Sequence, residues 1–185
     1  FVGTQSGAAD FGTGGGAGNT FPGATVPFGM MQLSPDTSPS TDNFAGGYTY
    51  SDAAIKGFSL THISGAGCAI FQDVPFLPVA RDVTAAPVGL GAAGLTSDFL
   101  MAFSHDDEDA EPGYYRVRLN PKSDASIHVE LTASVRAGMM RLQYPTSQPA
   151  SLIINAGGSA MANSAATVHV DASRREISGH SSSGR

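Results

Sequence analysis

"IHVELTASV", Ile127 to Val135, alternates apolar and polar residues without a break. Ile127, Val129, Leu131, Ala133 and Val135 fall on one face, and His128, Glu130, Thr132 and Ser134 on the other. Side chains point alternately to opposite faces of a strand, so this segment reads as a strand buried on one side and wet on the other. Upstream, "YYRVRL" puts Tyr115, Val117 and Leu119 on one face and Tyr114, Arg116 and Arg118 on the other. "NPKSD" between the two reads as their turn. Downstream, Met139 to Tyr144, Leu152 to Ile154, Val168 to Val170 and Glu176 to Ser178 continue the pattern, with "DASRRE" turning between the last two.

The first half is less regular. Thr25 to Leu33 is apolar and extended, and Pro27 places it at a sheet edge or a strand start. Ile55 to Ile63, Val74 to Val79 and Leu95 to Phe103 are further short candidates. "SHDDEDAEP", Ser104 to Pro112, reads as a solvated acidic turn, because charge runs face water and no EF-hand spacing is present. No segment sustains a 3.6-residue period, and "SAMANSAAT", Ser159 to Thr167, is the one soft helical candidate. Many short antiparallel strands predict an all-β chain folded as an antiparallel β-sandwich.

Composition agrees. The 185 residues suit one domain with a core, and 41% are hydrophobic. Gly 23 and Pro 11 imply many turns. A net charge of −6 argues against a nucleic-acid partner, which needs a basic face. No apolar run is long enough for a membrane-spanning helix. Cys68 is the lone cysteine, so no internal disulfide forms. The start at Phe1 and the Ser/Gly ending "SGHSSSGR" lead us to expect a piece of a longer protein: 1–185 is one sandwich domain truncated at its C-terminal end.

"GTGGGAGNTFPGATVPFG", Gly12 to Gly29, tests phosphate binding and fails it. A Walker A loop needs a lysine, and none is present. A dinucleotide loop must open a helix, and Pro22, Gly23 and Pro27 forbid one. Two readings remain. Either a tight turn packs Phe21 into the core, or the glycines bring backbone close to a sugar, with Asn19 for its hydroxyls and Phe21 for its C–H face.

Taken together, "GTGGGAGNTFPGATVPFGMMQLSPDT", "GGYTYSD", "IKGFSLTHISGAGCAIFQDVPFLP" and "FSHDDEDAEPGYYRVRL" resemble the N-terminal domain of glycoside hydrolase family 92. The resemblance runs over most of the chain and is most specific in Gly12 to Asp36 and Gly47 to Pro78. It implies part of a calcium-dependent, inverting exo-α-mannosidase. The implied enzyme has two domains, this β-sandwich and an (α/α)6 barrel that is not in this chain, with the active site between them. The general acid, the base and most calcium ligands belong to the barrel, so these residues hold no catalytic group and are expected to be inactive alone. The partners implied are a mannose-containing glycan and the barrel itself, in a secreted or periplasmic setting.

Carried over by motif, Gly18, Asn19 and Phe21 belong to the "GNTFPGA" loop that faces the cleft. Gly67 and Cys68 belong to the family's "SGxGC" stretch, and Asp73 is the acidic residue that follows. The resemblance makes these six the substrate-binding candidates. The sequence departs from the family at Ala17 and Leu60, where many members carry His, and at Gln72, where many carry Gly. It also lacks the Trp that α-1,2-cleaving members present to the leaving sugar; Phe44 and Tyr48 are the aromatic candidates in its place.

Other groups have blander readings beside the functional ones. A Cys68–His62 nucleophile pair is weighed against a small apolar or pocket-lining thiol. His128 and His169 lie on polar strand faces. His62 either orients a loop, contacts substrate or is a satisfied structural histidine. Two readings compete with the mannosidase wall: a non-catalytic carbohydrate-binding module and a purely structural domain.

Overall fold

A computed structural model describes residues 1, 3–4, 19–37, 46–65, 70–85, 99–161 and 163–184. Its first sheet contains β1 (Ala24–Thr25), β2 (Gln32–Asp36), β4 (Gly57–Ser59), β5 (Phe76–Val79) and β11 (Ser151–Ile154), in that order across the sheet and antiparallel throughout. The second contains β7 (Glu108–Glu111), β8 (Tyr114–Leu119), β9 (Ile127–Ala133) and β10 (Gly138–Gln143), again antiparallel. Two small pairs complete the set: β3 (Ala54–Ile55) with β6 (Met101–Ala102), and β12 (Asn163–Asp171) with β13 (Glu176–Ser183).

The chain is an all-β antiparallel sandwich. Leu33, Phe58, Leu77 and Val79 of the first sheet and Tyr115, Val117, Leu119, Ile127, Val129 and Leu131 of the second form one buried cluster. The register pairs Tyr115 with Leu131, Val117 with Val129 and Leu119 with Ile127, so the apolar faces of β8 and β9 coincide. Burying side chains of this size contributes about 1.5–3 kcal/mol each, which is why the period-two pattern chooses the inward face.

Several boundaries differ from the sequence reading. The extended stretch beginning at Thr25 is two strands, and the second runs on to Asp36. Between them Phe28 takes φ 59° and lies fully exposed. β9 ends at Ala133, and a turn closed by Ser134 bonding Ala137 leads into β10. The soft helical candidate is overturned from Asn163 onward: β12 pairs with β13, and that long two-stranded ladder overrides the weak propensity of its Ala and Ser residues. The Ser/Gly tail is likewise strand up to Ser183.

The acidic stretch is also more than a solvated turn. His105–Asp107 form a short 3-10 turn capped by Ser104, and Glu108–Glu111 become strand β7. Pairing with β8 carries Glu108 into the interior, where hydroxyl donors meet it.

Candidate functional site

The polar residues of β2 build the site. Leu33 faces the core, so its neighbours Gln32, Ser34 and Asp36 share the outer face of the first sheet. Ser34 pairs with Ser59 of β4, and three residues beyond Ser59 the chain folds back to lay His62 over β2.

His62 is fully buried and attached to β2 at three points. Its backbone N–H donates to Gln32 Oε1 at 3.0 Å, its Nδ1 donates to the Gln32 carbonyl at 2.7 Å, and its Nε2 lies 2.9 Å from Asp36 Oδ1. Ser59 Oγ is 3.2 Å from the same Nε2. Phe21, half-buried, sets its ring over the imidazole with centroids 5.1 Å apart at 36°. Asn19 is buried, and its carbonyl accepts from Gly65 N at 2.7 Å. Among the described residues, the "GNTFPGA" and "THISGAG" stretches therefore meet at a tilted ring pair and a backbone bond.

Glycines permit this closeness. Gly47 has φ +69°, and a Cβ there would lie 2.5 Å from Asp36 Oδ1 and 3.1 Å from the His62 ring. A Cβ on Gly23 would lie 2.3 Å from the Leu33 carbonyl oxygen. Within the described part of the glycine loop, then, the close approach at Gly23 is backbone against β2.

Asp73 lies on the next loop. Its Oδ2 accepts from Thr61 Oγ1 at 2.7 Å and its Oδ1 from Ser183 Oγ at 2.5 Å, tying the loop after β4 to the end of β13. Phe71, Gln72 and Val74 around it all take positive φ, 67°, 57° and 51°. Glycine adopts this conformation freely, so Gln72 holds a backbone shape that would cost a glycine less. Gly18, Gly67, Cys68, Ala17 and Phe44 lie outside the described residues, as does any Cys68–His62 pairing.

Two polar groups escaped the sequence reading. Asp36 ends the Gly12 to Asp36 motif stretch but was given no role there; only the fold brings it to His62. Beside it, burial pulls the Lys56 ammonium below the ordinary lysine range, and the carboxylates of Asp36 and Asp52 partly offset that. Glu108 is the second. Tyr48 Oη donates to it at 2.8 Å, Tyr115 Oη at 2.6 Å and His105 Nδ1 at 2.7 Å. His105 Nε2 meets the Tyr50 carbonyl at 2.6 Å, and the His105 and Tyr50 rings stack at 4.0 Å. Tyr48 is fully buried with its hydroxyl committed, which corrects the expectation that it replaces the missing Trp at the leaving sugar.

Elsewhere the outer face of the second sheet forms a polar concavity of about 420 Å³. Its arginines are paired with acids: Arg116 with Asp109 at 3.2 Å, Arg118 with Asp107 at 3.7 Å, and Arg141 with Glu130. His128 and His169 are exposed, as expected. An apolar groove of about 310 Å³ runs between the first sheet and the β12–β13 hairpin, lined by Leu60, Phe76, Ile154, Val168 and Ile177 among others. Among the described residues no three carboxylate or imidazole side chains converge as ion ligands.

A β-sandwich with an aromatic ring and glycine-tight loops on one outer sheet face is an architecture suited to sugars. Comparison with known proteins gives the family. Residues 1–185 match the Glycosyl hydrolase family 92 N-terminal domain, and the chain belongs to that family. A family GH92 alpha-mannosidase from Bacteroides thetaiotaomicron is 36% identical and superimposes with a TM-score of 0.68 over 85% of this chain and 19% of its own. The GH92 family glycosyl hydrolase ccman5 is 26% identical, with a TM-score of 0.72 over 96% of this chain and 23% of its own. An uncharacterized secreted glycosidase of the fungus Arthroderma benhamiae is 29% identical over 132 residues, 69% of this chain and 16% of its own length. The chain thus spans about a fifth of the length of these solved relatives.

Proposed function

We propose that this domain forms one wall of the mannose pocket in a glycosidase that hydrolyses terminal α-linked mannose with inversion. The observation that carries the reading is the ring of Phe21 held 5.1 Å from the imidazole of buried His62 at a tilt of 36°, on a loop tied through Asn19 to Gly65. It supports a rigid, half-exposed aromatic surface of the kind that receives the C–H face of a pyranose. Gly18, Asn19, Phe21, Gly67, Cys68 and Asp73 are the residues we assign to this wall.

Inverting hydrolysis needs one carboxylic acid to protonate the leaving oxygen and one carboxylate to activate water on the opposite face of the ring. We assign both to a C-terminal barrel domain outside this chain, along with the ligands of a calcium ion that such an enzyme would use to hold the sugar hydroxyls. What these residues contribute is binding and orientation: the ring of Phe21 sets the sugar plane and the loops exclude water. The isolated 185 residues are then inactive. Likeness to a secreted glycosidase supports a secreted or periplasmic setting, and among the described residues no helix is long and apolar enough to cross a membrane.

The test is mannose release from an aryl α-mannoside by the complete enzyme, with calcium and then with chelator, for wild type and Phe21→Ala. Calcium-dependent release that falls about tenfold or more in the variant, with its unfolding midpoint preserved, is the expected result. Equal loss of activity and stability would sink the wall.

A further inference from the structure

We infer that Asp36 and His62 are positioning residues for that wall: the Asp36 carboxylate holds the imidazole, and the imidazole holds the ring of Phe21. The inference rests on the reading of Phe21 given above, and it adds two buried residues that touch no sugar.

The geometry leaves the imidazole one orientation. Nδ1 faces the Gln32 carbonyl at 2.7 Å, and a carbonyl only accepts, so Nδ1 carries a proton. Nε2 faces Asp36 Oδ1 at 2.9 Å and Ser59 Oγ at 3.2 Å. Flipping the ring by 180° would turn carbons toward the Gln32 carbonyl and the carboxylate and strand both acceptors in a buried space. The backbone of His62 is held by the same strand, through Gln32 Oε1. Gly47 closes the far side, where a Cβ would lie within 3.1 Å of the imidazole and 2.5 Å of Asp36 Oδ1. The ring therefore has no free rotation, and the Phe21 ring packs against it at 5.1 Å and 36°.

Phe21 has no such anchor of its own. It precedes Pro22 and Gly23 on a loop that the Asn19 carbonyl ties to Gly65 N. Its ring is amphipathic neither in donors nor in acceptors, so stacking and packing alone fix its angle. Removing the Asp36 carboxylate takes away the closest partner of Nε2, leaves the imidazole held through Nδ1 and Ser59 Oγ, and so loosens the surface that sets the angle of the Phe21 ring. A displaced binding surface of this kind lowers transition-state binding without touching the reacting atoms.

A double-mutant cycle in the complete enzyme separates positioning from general loosening, with an aryl α-mannoside as substrate and assays well below each variant's unfolding midpoint. Asp36→Ala is expected to lower kcat/KM about tenfold in the wild-type background and less than about twofold in the Phe21→Ala background, because the ring it positions is already gone. Asp36→Asn keeps an acceptor for Nε2 and is expected to lose only about threefold. If Asp36→Ala does not fold, Asp36→Asn carries the same cycle. An equal loss in both backgrounds, or none in either, overturns the positioning role while leaving the wall intact. A harmless Phe21→Ala overturns the wall itself, and the positioning role with it.

Discussion

Tyr115 donates its hydroxyl to Glu108 at 2.6 Å across the seam between β8 and β7, inside the sandwich. The same carboxylate takes the Tyr48 hydroxyl and His105 Nδ1. A buried carboxylate is tolerated only when its lone pairs are filled, and here three donors fill them. The acidic stretch is thus an internal anchor at Glu108.

Removing that acceptor strands three donors. Glu108→Ala is expected to destabilise the chain by about 3–5 kcal/mol, which lowers the thermal midpoint by on the order of 10 °C for a chain of this size. Tyr115→Phe removes one donor and is expected to lose about 1–2 kcal/mol. Circular dichroism melts decide this; midpoints unchanged in both variants would count against the anchor.

Alkaline pH should attack the same cluster. Burial first, and then the Glu108 charge and hydrogen bond, raise the Tyr48 and Tyr115 hydroxyls above the ordinary tyrosine range. The fold therefore favours their protonated form. That contribution is fully present below the unfolded tyrosine value of about 10 and is lost as pH rises above it. Denaturant midpoints should hold up to about pH 10 and then fall, with the tyrosinate absorbance contributed by Tyr48 and Tyr115 rising only on unfolding. Free ionisation of every tyrosine near pH 10 in a folded chain would refute the assignment.

Gly47→Ala places a methyl group 2.5 Å from Asp36 Oδ1 in a backbone at φ +69°. The carboxylate it meets is itself bonded to His62 Nε2 at 2.9 Å, so moving aside costs that contact. We expect a loss of more than about 2 kcal/mol in urea denaturation. Gly65→Ala is the comparison: its φ is also positive, at +121°, but a Cβ there meets nothing within 4 Å. The two variants separate backbone strain from collision.

The β12–β13 hairpin exposes Val168, Val170 and Ile177, with Val170 directly opposite Ile177. Ile177→Lys replaces an exposed apolar residue without opening a cavity. Stability of the 185-residue chain should change by less than about 0.5 kcal/mol, while light scattering at high concentration should fall. Unchanged scattering would show that another surface drives association.

In the second sheet β8 and β9 were legible almost residue by residue, because they alternate cleanly and their apolar faces pair in register, while β7 was read as a turn. The hairpin was legible only at its turn: Ala165, Ala166 and the serines of β13 carry no strong strand preference, and their partners across the ladder supply it. Of the candidate site, Asn19, Phe21 and Asp73 were legible through motif resemblance. Asp36 and Glu108 were not, since an acidic residue in a polar stretch looks solvated until a donor is seen beside it.

What the sequence by itself determined is the sandwich: burial of apolar area follows a local two-residue period, and that period can be read along one strand without knowing its neighbours. What only the tertiary structure decided is which polar groups meet. Asp36 and His62 lie 26 residues apart, Tyr48 and Glu108 60, and Ser183 and Asp73 110. A hydrogen bond acts over about 3 Å and depends on direction, so these pairings exist only once the two sheets and their loops have closed.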